Sequence, residues 1–356
     1  MGQITPEFLE AYLAEKWREG VKVEKLERFA RGISRETWFI DIRRAGSAVE
    51  SLILRRDLDG NSIGTATLRF EYEVYHRLQG SGVPVAEVLW WEEDPRWVAD
   101  GRPFYLRRQV DGRWDVPNYG DRDPAYDNLR VEIGREHVRK LAIIHGCDWR
   151  ALGFGDLLPA PADESQCAAV AIERAYDDLA RFQFSPLPII AEVREWLLDN
   201  APRASRISLL KGTNGLGEEV FRDGVIVAMS DWEQASIGDP ASDFARAQEF
   251  FQDVVIDGRR VWGLDEALDY YAEVSGVRID SSSVQYYRVL TGVENTITLH
   301  HGAKPLAEGS SPSVRLSWLA TEAIYGGHRR MMDAVTGRMQ LTDRPRSASL
   351  VELKAS

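Results

Sequence analysis

The sequence predicts an α+β fold in two lobes, a small antiparallel sheet followed by a larger, mainly helical lobe carrying an embedded β-hairpin. Three observations predict it. Strand-like runs crowd the first 110 residues, separated by glycine-containing turns. Helical periodicity dominates beyond them. The length of 356 residues exceeds what one compact core holds. We place the first lobe at residues 1–110 and the second at 111–356, with a short connector near Val110 to Trp114.

Thr5-Pro6 ahead of FLEAYLAEKW reads as an N-cap, a proline at the first helical position and an amphipathic helix. From Val21 the period shortens. KVEKLERFA, TWFIDIRR and SLILRRDL are three strand-like runs, broken by Gly32-Ile33-Ser34 and Ala45-Gly46-Ser47. In ATLRFEYEVYHRLQ, Leu68, Tyr72, Tyr75 and Leu78 make a helical stripe that Gly80-Ser81-Gly82 ends. VPVAEVLWWEED and RPFYLRRQV supply two further strands.

Beyond Asp111-Gly112, DNLRVEIGREHVRKLAIIHG is a long helix, with later candidates from Glu164 to Arg181 and from Ala191 to Asn200. Val220-Phe221 and Val225 to Met229 flank Arg222-Asp223-Gly224, a hairpin signal. The last third is helical again, and the residues from about Thr342 are polar, as frayed ends are. No internal repeat is present.

Composition excludes several classes. Net charge is −12, against the basic face of a general nucleic-acid binder. Cys147 and Cys167 are the only cysteines, which excludes a disulfide scaffold and any cysteine metal spacing. No run of eighteen apolar residues exists, and the first twenty residues lack an apolar h-region. The expectation is a soluble cytoplasmic protein with a small-molecule partner, no membrane partner and no nucleic acid. Oligomeric state leaves no signal.

Four stretches carry a resemblance: LILRRD, RPFYLRRQVDG, LAIIHGCDWRALGFGD and, most specific, MSDWEQASIGDPASDFA. With them the chain resembles the aminoglycoside-phosphotransferase family, of the kinase-like type shared with choline kinases. It is most similar to the kinase-like domains fused to acyl-CoA dehydrogenases, and the likeness runs roughly from Phe29 to Phe251. The resemblance implies a bilobal protein-kinase-like fold and ATP with Mg²⁺ as cofactors. The acceptor would be a hydroxyl of a small molecule.

The same resemblance assigns the nucleotide side. Gly32-Ile33-Ser34 stands where the family covers the phosphates, making Gly32 and Ser34 cofactor-binding candidates. It has one glycine in place of three and, by itself, reads as an ordinary turn. Arg55 stands where a strand lysine pairs with the phosphates, and Glu71 matches the helix glutamate that holds that cation. Leu106 to Val110 would be the hinge against an adenine. His145 is expected to be structural, packing and bonding between the lobes. Trp90, Trp91, Trp97 and Trp232 read as core or cleft wall. Asp239 and Asp243 read as structural, Asp243 as a helix N-cap or an anchor for the catalytic loop.

The catalytic loop breaks the pattern. The family reads His-Gly-Asp, four residues, then Asn; this chain has Lys211-Gly212-Thr213, and the asparagine position falls on Glu218. A threonine hydroxyl has no accessible basic form. Asp231 matches the magnesium aspartate, and Glu218 is a hard oxygen ligand that joins it. Lys211 could offset the added charge, or could merely form a solvated pair with Glu218. Glu219, next on the strand, should point away from Glu218.

Three readings stay open. The chain is a phosphotransferase working through Lys211, Thr213 and Glu218 with metal ligands Asp231 and Glu218. Otherwise the fold is recruited for other small-molecule chemistry, or is a nucleotide-binding pseudokinase.

Overall fold

The structure, a computed structural model, describes residues 4–29, 35–58, 66–98, 100–183, 186–310, 324–336 and 338. Gly32 and Ser34 lie outside the described residues.

Helix α1 (Pro6–Trp17) starts as its cap dictates, the Thr5 hydroxyl accepting from the Phe8 N–H at 3.2 Å. The five predicted strands are β1 (Val21–Arg28), β2 (Arg35–Arg44), β3 (Val49–Asp57), β4 (Val88–Glu92) and β5 (Phe104–Arg108). They form one sheet in the order β1-β2-β3-β5-β4, antiparallel throughout. Helix α2 (Leu68–Leu78) sits between β3 and β4 in the chain, as its stripe predicts.

Alternation along each strand gives the sheet two different faces. Ile40, Leu52, Leu54, Phe104 and Leu106 pack with Leu9, Tyr12 and Leu13 of α1. Tyr105, one residue from both Phe104 and Leu106, faces the other way and joins Val74, Tyr75 and Leu78 of α2. That second core continues without a break into Ile133, Phe154, Ile226 and Met229. The sheet thus rests on the helical part through α2.

The helical part contains α3 (Asp127–Gly146), α4 (Cys167–Phe182), α5 (Pro188–Asp199), α6 (Ala241–Arg246), α7 (Leu264–Ser275) and α8 (Ser281–Ala307), with a last helix at Ile324–Val335. The expected hairpin joins β7 (Glu219–Arg222) and β8 (Val225–Met229). Its turn residues Asp223 and Gly224 have φ of 53° and 76°, the left-handed pair that a two-residue hairpin requires. Two pairings come in addition: β6 (Ser208–Leu210) with β9 (Ser236–Gly238), and β10 (Val254–Ile256) with β11 (Arg259–Trp262).

The β6–β9 pair holds both ends of the segment that carries the altered loop, and β7–β8 fills its middle. The connector from the sheet crosses this hairpin closely. Arg113 and Phe221 exchange backbone hydrogen bonds of 2.7 and 2.6 Å. Gly112, at φ 150°, leaves no room for a side chain, because a Cβ would meet Val220 Cγ1 at 2.6 Å and the Phe221 carbonyl at 2.7 Å.

Candidate active site

Asp243, in the first turn of α6, is the anchor of the altered loop. Its Oδ2 accepts from the Lys211 N–H at 2.8 Å and its Oδ1 from the Gly212 N–H at 2.9 Å. Asn214 Nδ2 adds a bond to Oδ1 at 3.0 Å, and His145 Nε2 stands 3.1 Å from Oδ2. Burial raises the acid's pKa, but His145 and the two backbone donors outweigh it and hold Asp243 below its ordinary value. Pro240, not Asp243, occupies the cap position of α6. His145 reaches Tyr271 Oη of α7 at 3.0 Å with its other nitrogen. Its partners Asp243 and Tyr271 both lie on helices, so it bonds within the helical part and not across to the sheet.

On the sheet side, Arg55 Nη1 lies 3.1 Å from Glu71 Oε1, the pair expected from the sequence. Register explains the contact. Arg55 is opposite Tyr105 in the β3–β5 ladder, and both side chains rise toward α2. Tyr105 Oη donates to Glu71 Oε1 at 2.9 Å, and Arg35 Nε approaches Glu71 Oε2 at 3.9 Å. Glu71 is fully buried, so its charge needs these partners. Burial opposes the Arg55 charge, yet Glu71, Tyr105 and Asp231 more than offset it, raising Arg55 above its ordinary value.

Asp231 and Glu218 flank the two ends of the hairpin and lie close enough to Arg55 for its charge to act on both. Asp231 has φ 60°, a left-handed backbone that a non-glycine residue adopts at some cost. The neighbouring chain holds it there: Trp232 Nε1 donates to the Met229 carbonyl at 2.9 Å, and Ser230 N donates to the Glu218 carbonyl at 2.7 Å. Burial first, then Asp231, pushes Glu218 up to about 7. Burial likewise raises Asp231 against the pull of Arg55, and pushes Glu233 up to about 7 with Asp231 and Glu71 adding repulsion.

Asp231 therefore repels both Glu218 and Glu233, and Glu233 Oε2 is buried without a hydrogen-bond partner. A divalent cation would relieve that repulsion. Among the described residues no set of three or more His, Cys, Asp or Glu side chains surrounds a single metal position. Asp231 and Glu218 still suit Mg²⁺, which takes one or two carboxylates and completes its shell with phosphate and water oxygens.

Beneath the loop the arrangement departs from the sequence reading. Lys211 is fully buried, and its ammonium donates to the Thr213 carbonyl. It braces the loop from below, and no solvated pair with Glu218 forms. Gly212 has φ 83°, and a Cβ there would fall on the Gln234 carbonyl. Glu219, the first residue of β7, is fully buried and stands 3.8 Å from His137 Nδ1. The contact is not an ion pair near neutral pH. Burial pushes Glu219 up to about 8, and burial with Lys211 pushes His137 down to about 3.

The structure thus gathers Arg55, Glu71, Asp231, Glu218 and Glu233, with Lys211 and Thr213 in the adjoining loop. Reasoning from sequence missed Arg35, Tyr105 and Glu233. The signal for Glu233 was its place two residues beyond Asp231; the partners of Glu71 left none, since they converge only through the sheet register.

Residues 25–276 match the model of the phosphotransferase enzyme family. Acyl-CoA dehydrogenase family member 10 of Mus musculus is 27% identical over 234 residues, which is 62% of this chain and 20% of that protein. Member 11 of Gallus gallus is 26% identical over 64% of this chain, and the match again spans only 28% of that relative's length.

Among solved structures, a Ralstonia eutropha protein assigned to the aminoglycoside phosphotransferases superposes with a TM-score of 0.67 at 21% identity, covering 94% of this chain and 99% of that one. The ternary complex of APH(2″)-IIa with streptomycin and ATP superposes with a TM-score of 0.57 at 13% identity, covering 94% and 99%. At such identities these likenesses establish the kinase-like fold.

Proposed function

The chain belongs to the phosphotransferase enzyme family, and from that premise we propose that it transfers a phosphoryl group from ATP, with Mg²⁺, to a hydroxyl of a small molecule. One observation carries the reading. The Arg55–Glu71 pair, with Glu71 fully buried, stands beside Asp231 and Glu218, which supports a site where a cation meets phosphate next to two hard oxygen ligands. The streptomycin–ATP complex of a neighbour with the same fold supports a nucleotide and a hydroxylated acceptor.

In this reading residues 1–110 cover the nucleotide and residues 111–356 supply the loop and the acceptor side. Arg55 offers its planar fork to the phosphates, and Glu71, held by Tyr105 and Arg35, keeps that fork aimed. Asp231 and Glu218 are the residues that would hold Mg²⁺, which when bound would neutralise charge on the phosphates. Asp243 fixes the backbone of Lys211 and Gly212, so Thr213 is presented at a set place. No carboxylate stands in the loop where the family keeps its base. Transfer through a loose transition state depends chiefly on position and charge, and a missing base costs about 10²–10⁴-fold.

Thr213 also favours a second reading, nucleotide binding without transfer, because its Oγ1 is buried with no hydrogen-bond partner. Consumption of ATP with Mg²⁺ across a panel of hydroxylated small molecules separates the two. Turnover with any acceptor supports transfer. Tight nucleotide binding with no consumption supports the second reading. Among the described residues no helix is long and apolar enough to cross a membrane, which accords with the cytoplasmic location we propose.

A further inference from the structure

Glu218 lies just outside β7, at the end of the turn Gly215 to Glu218. Its N–H donates to the Gly215 carbonyl at 3.2 Å, and its own carbonyl accepts from the Ser230 N–H at 2.7 Å and the Ser230 hydroxyl at 2.8 Å. The backbone at Glu218 is therefore only as well placed as the turn that leads into it. That turn runs through Leu216 between two glycines, and Gly217 has φ 102°. Such a segment has much backbone freedom to lose before it holds one shape.

Glu249 supplies the restraint from another part of the fold. It sits in a short 3₁₀ helix (Gln248–Phe251) that follows α6. Its Oε1 accepts from the Leu216 N–H, in the middle of the turn. Gly215 leaves room for that contact, because a Cβ there would meet Glu249 Oε1 at 2.8 Å. The short helix is itself held on three sides. Tyr119 Oη donates to the Glu249 carbonyl at 3.0 Å, and Trp262 Nε1 donates to the Phe250 carbonyl at 2.8 Å. Phe250 also stacks on His137 with ring centroids 3.9 Å apart. Burial and Asp231 do most to raise Glu218, and Glu249 adds repulsion, so the two carboxylates are near neighbours.

We propose that Glu249 is a positioning residue for the divalent ion, acting through Glu218: its carboxylate pins the Leu216 N–H and so sets where the Glu218 carboxylate stands beside Asp231. The assignment rests on the phosphotransferase reading and its Mg²⁺ site. Glu249 acts as a hydrogen-bond acceptor and not as a charge, so an uncharged side chain that accepts the same bond should serve in its place.

Two measurements on the whole chain test this: backbone amide hydrogen exchange, and the Mg²⁺ concentration that half-saturates ATP binding in calorimetry. Glu249→Ala should speed exchange at the Leu216 and Glu218 amides and raise that Mg²⁺ concentration about 10- to 100-fold, the usual effect of losing a group that orients a metal ligand. Glu249→Gln keeps an acceptor oxygen for Leu216 and should restore both values. In a Glu218→Gln background, Glu249→Ala should change the Mg²⁺ requirement no further, because both act on one ligand. Gly215→Ala crowds the carboxylate without removing it and should move both measurements in the direction of Glu249→Ala. Unchanged exchange or an unchanged Mg²⁺ requirement in Glu249→Ala overturns the proposal. So does a Glu249→Gln variant as impaired as Glu249→Ala, or a loss that persists in full beside Glu218→Gln. If Glu249→Ala does not fold, an undisturbed Gly215→Ala overturns it. Wild-type protein that binds ATP without regard to Mg²⁺ would sink the metal site of the phosphotransferase reading and this proposal together, a failure visible before any variant is made.

Discussion

Asp243 holds the backbone of Lys211 from 32 residues downstream, its Oδ2 accepting the Lys211 N–H at 2.8 Å. The same carboxylate takes Gly212, Asn214 and His145, so one buried side chain sets the path of the whole loop. Asp243→Asn offers one acceptor oxygen in place of two. We expect a loss of about 1–3 kcal/mol for each N–H left unsatisfied, read by urea unfolding. Because the Asp243 pKa is depressed on folding, its contribution is present above the ordinary carboxylate value of 3.8 and disappears as pH falls below it. Unchanged stability of Asp243→Asn at pH 7 would contradict the clamp.

The Arg55–Glu71 pair leads to a prediction about alignment. Glu71→Gln leaves Arg55 beside Asp231 with a neutral partner, and Arg35 loses the charge of its buried neighbour. Breaking one side of a buried pair typically costs about 3–5 kcal/mol, and we expect that range in urea unfolding. Arg55→Lys keeps the charge but not the fork, so it should weaken nucleotide binding more than it lowers the melting temperature. Equal nucleotide affinity in wild type and Arg55→Lys would remove Arg55 from the phosphate site.

Glu219 gives a pH dependence with a definite sign. Burial pushes its pKa up to about 8, so the folded state binds a proton that the unfolded state releases near 4.5. Its contribution is fully present below about 4.5 and is lost as pH rises toward about 8. Melting temperature should fall across that window, and Glu219→Gln should flatten the slope. A slope identical in the variant would show that the pH response comes from elsewhere.

Much of this was legible in advance, for physical reasons. Strands β1 to β5 and helix α2 announce themselves because glycine-rich turns separate runs of clear period. Asp223-Gly224 marked its hairpin, yet Asp257-Gly258, with φ of 50° and 73°, marks β10–β11 in the same way and was passed over. β6 and β9 have three residues each, too few for any period to appear.

In the site, Arg55, Glu71 and Asp231 stood out through motif order. Arg35 and Tyr105 did not, since tertiary contact alone brings them to Glu71. Lys211 is buried although lysine is ordinarily exposed, because the loop carbonyl of Thr213 keeps its ammonium inside, where its charge still acts on Glu218 as expected.

The altered loop separates transfer from mere binding. Thr213→Asp restores a carboxylate where the family keeps its base, and with a turned-over acceptor it should raise the rate by up to about 10²–10⁴-fold. Glu218→Gln should weaken Mg²⁺ dependence and turnover together, because a neutral oxygen replaces a charged ligand. If the fold serves other chemistry, Thr213→Asp should lower the native activity instead, by placing a second negative charge near Glu218. Steady-state rates of ATP consumption for the two variants and the wild type decide this.

The central claim is that Arg55, Asp231 and Glu218 together form a nucleotide site that depends on a divalent ion. Calorimetry of ATP binding to the whole chain, with Mg²⁺ and with chelator, tests it most directly. The account predicts saturable binding with Mg²⁺ that weakens sharply in chelator and is lost in Asp231→Asn. Binding that is indifferent to Mg²⁺ and to Asp231→Asn, or no binding at millimolar ATP, would contradict it.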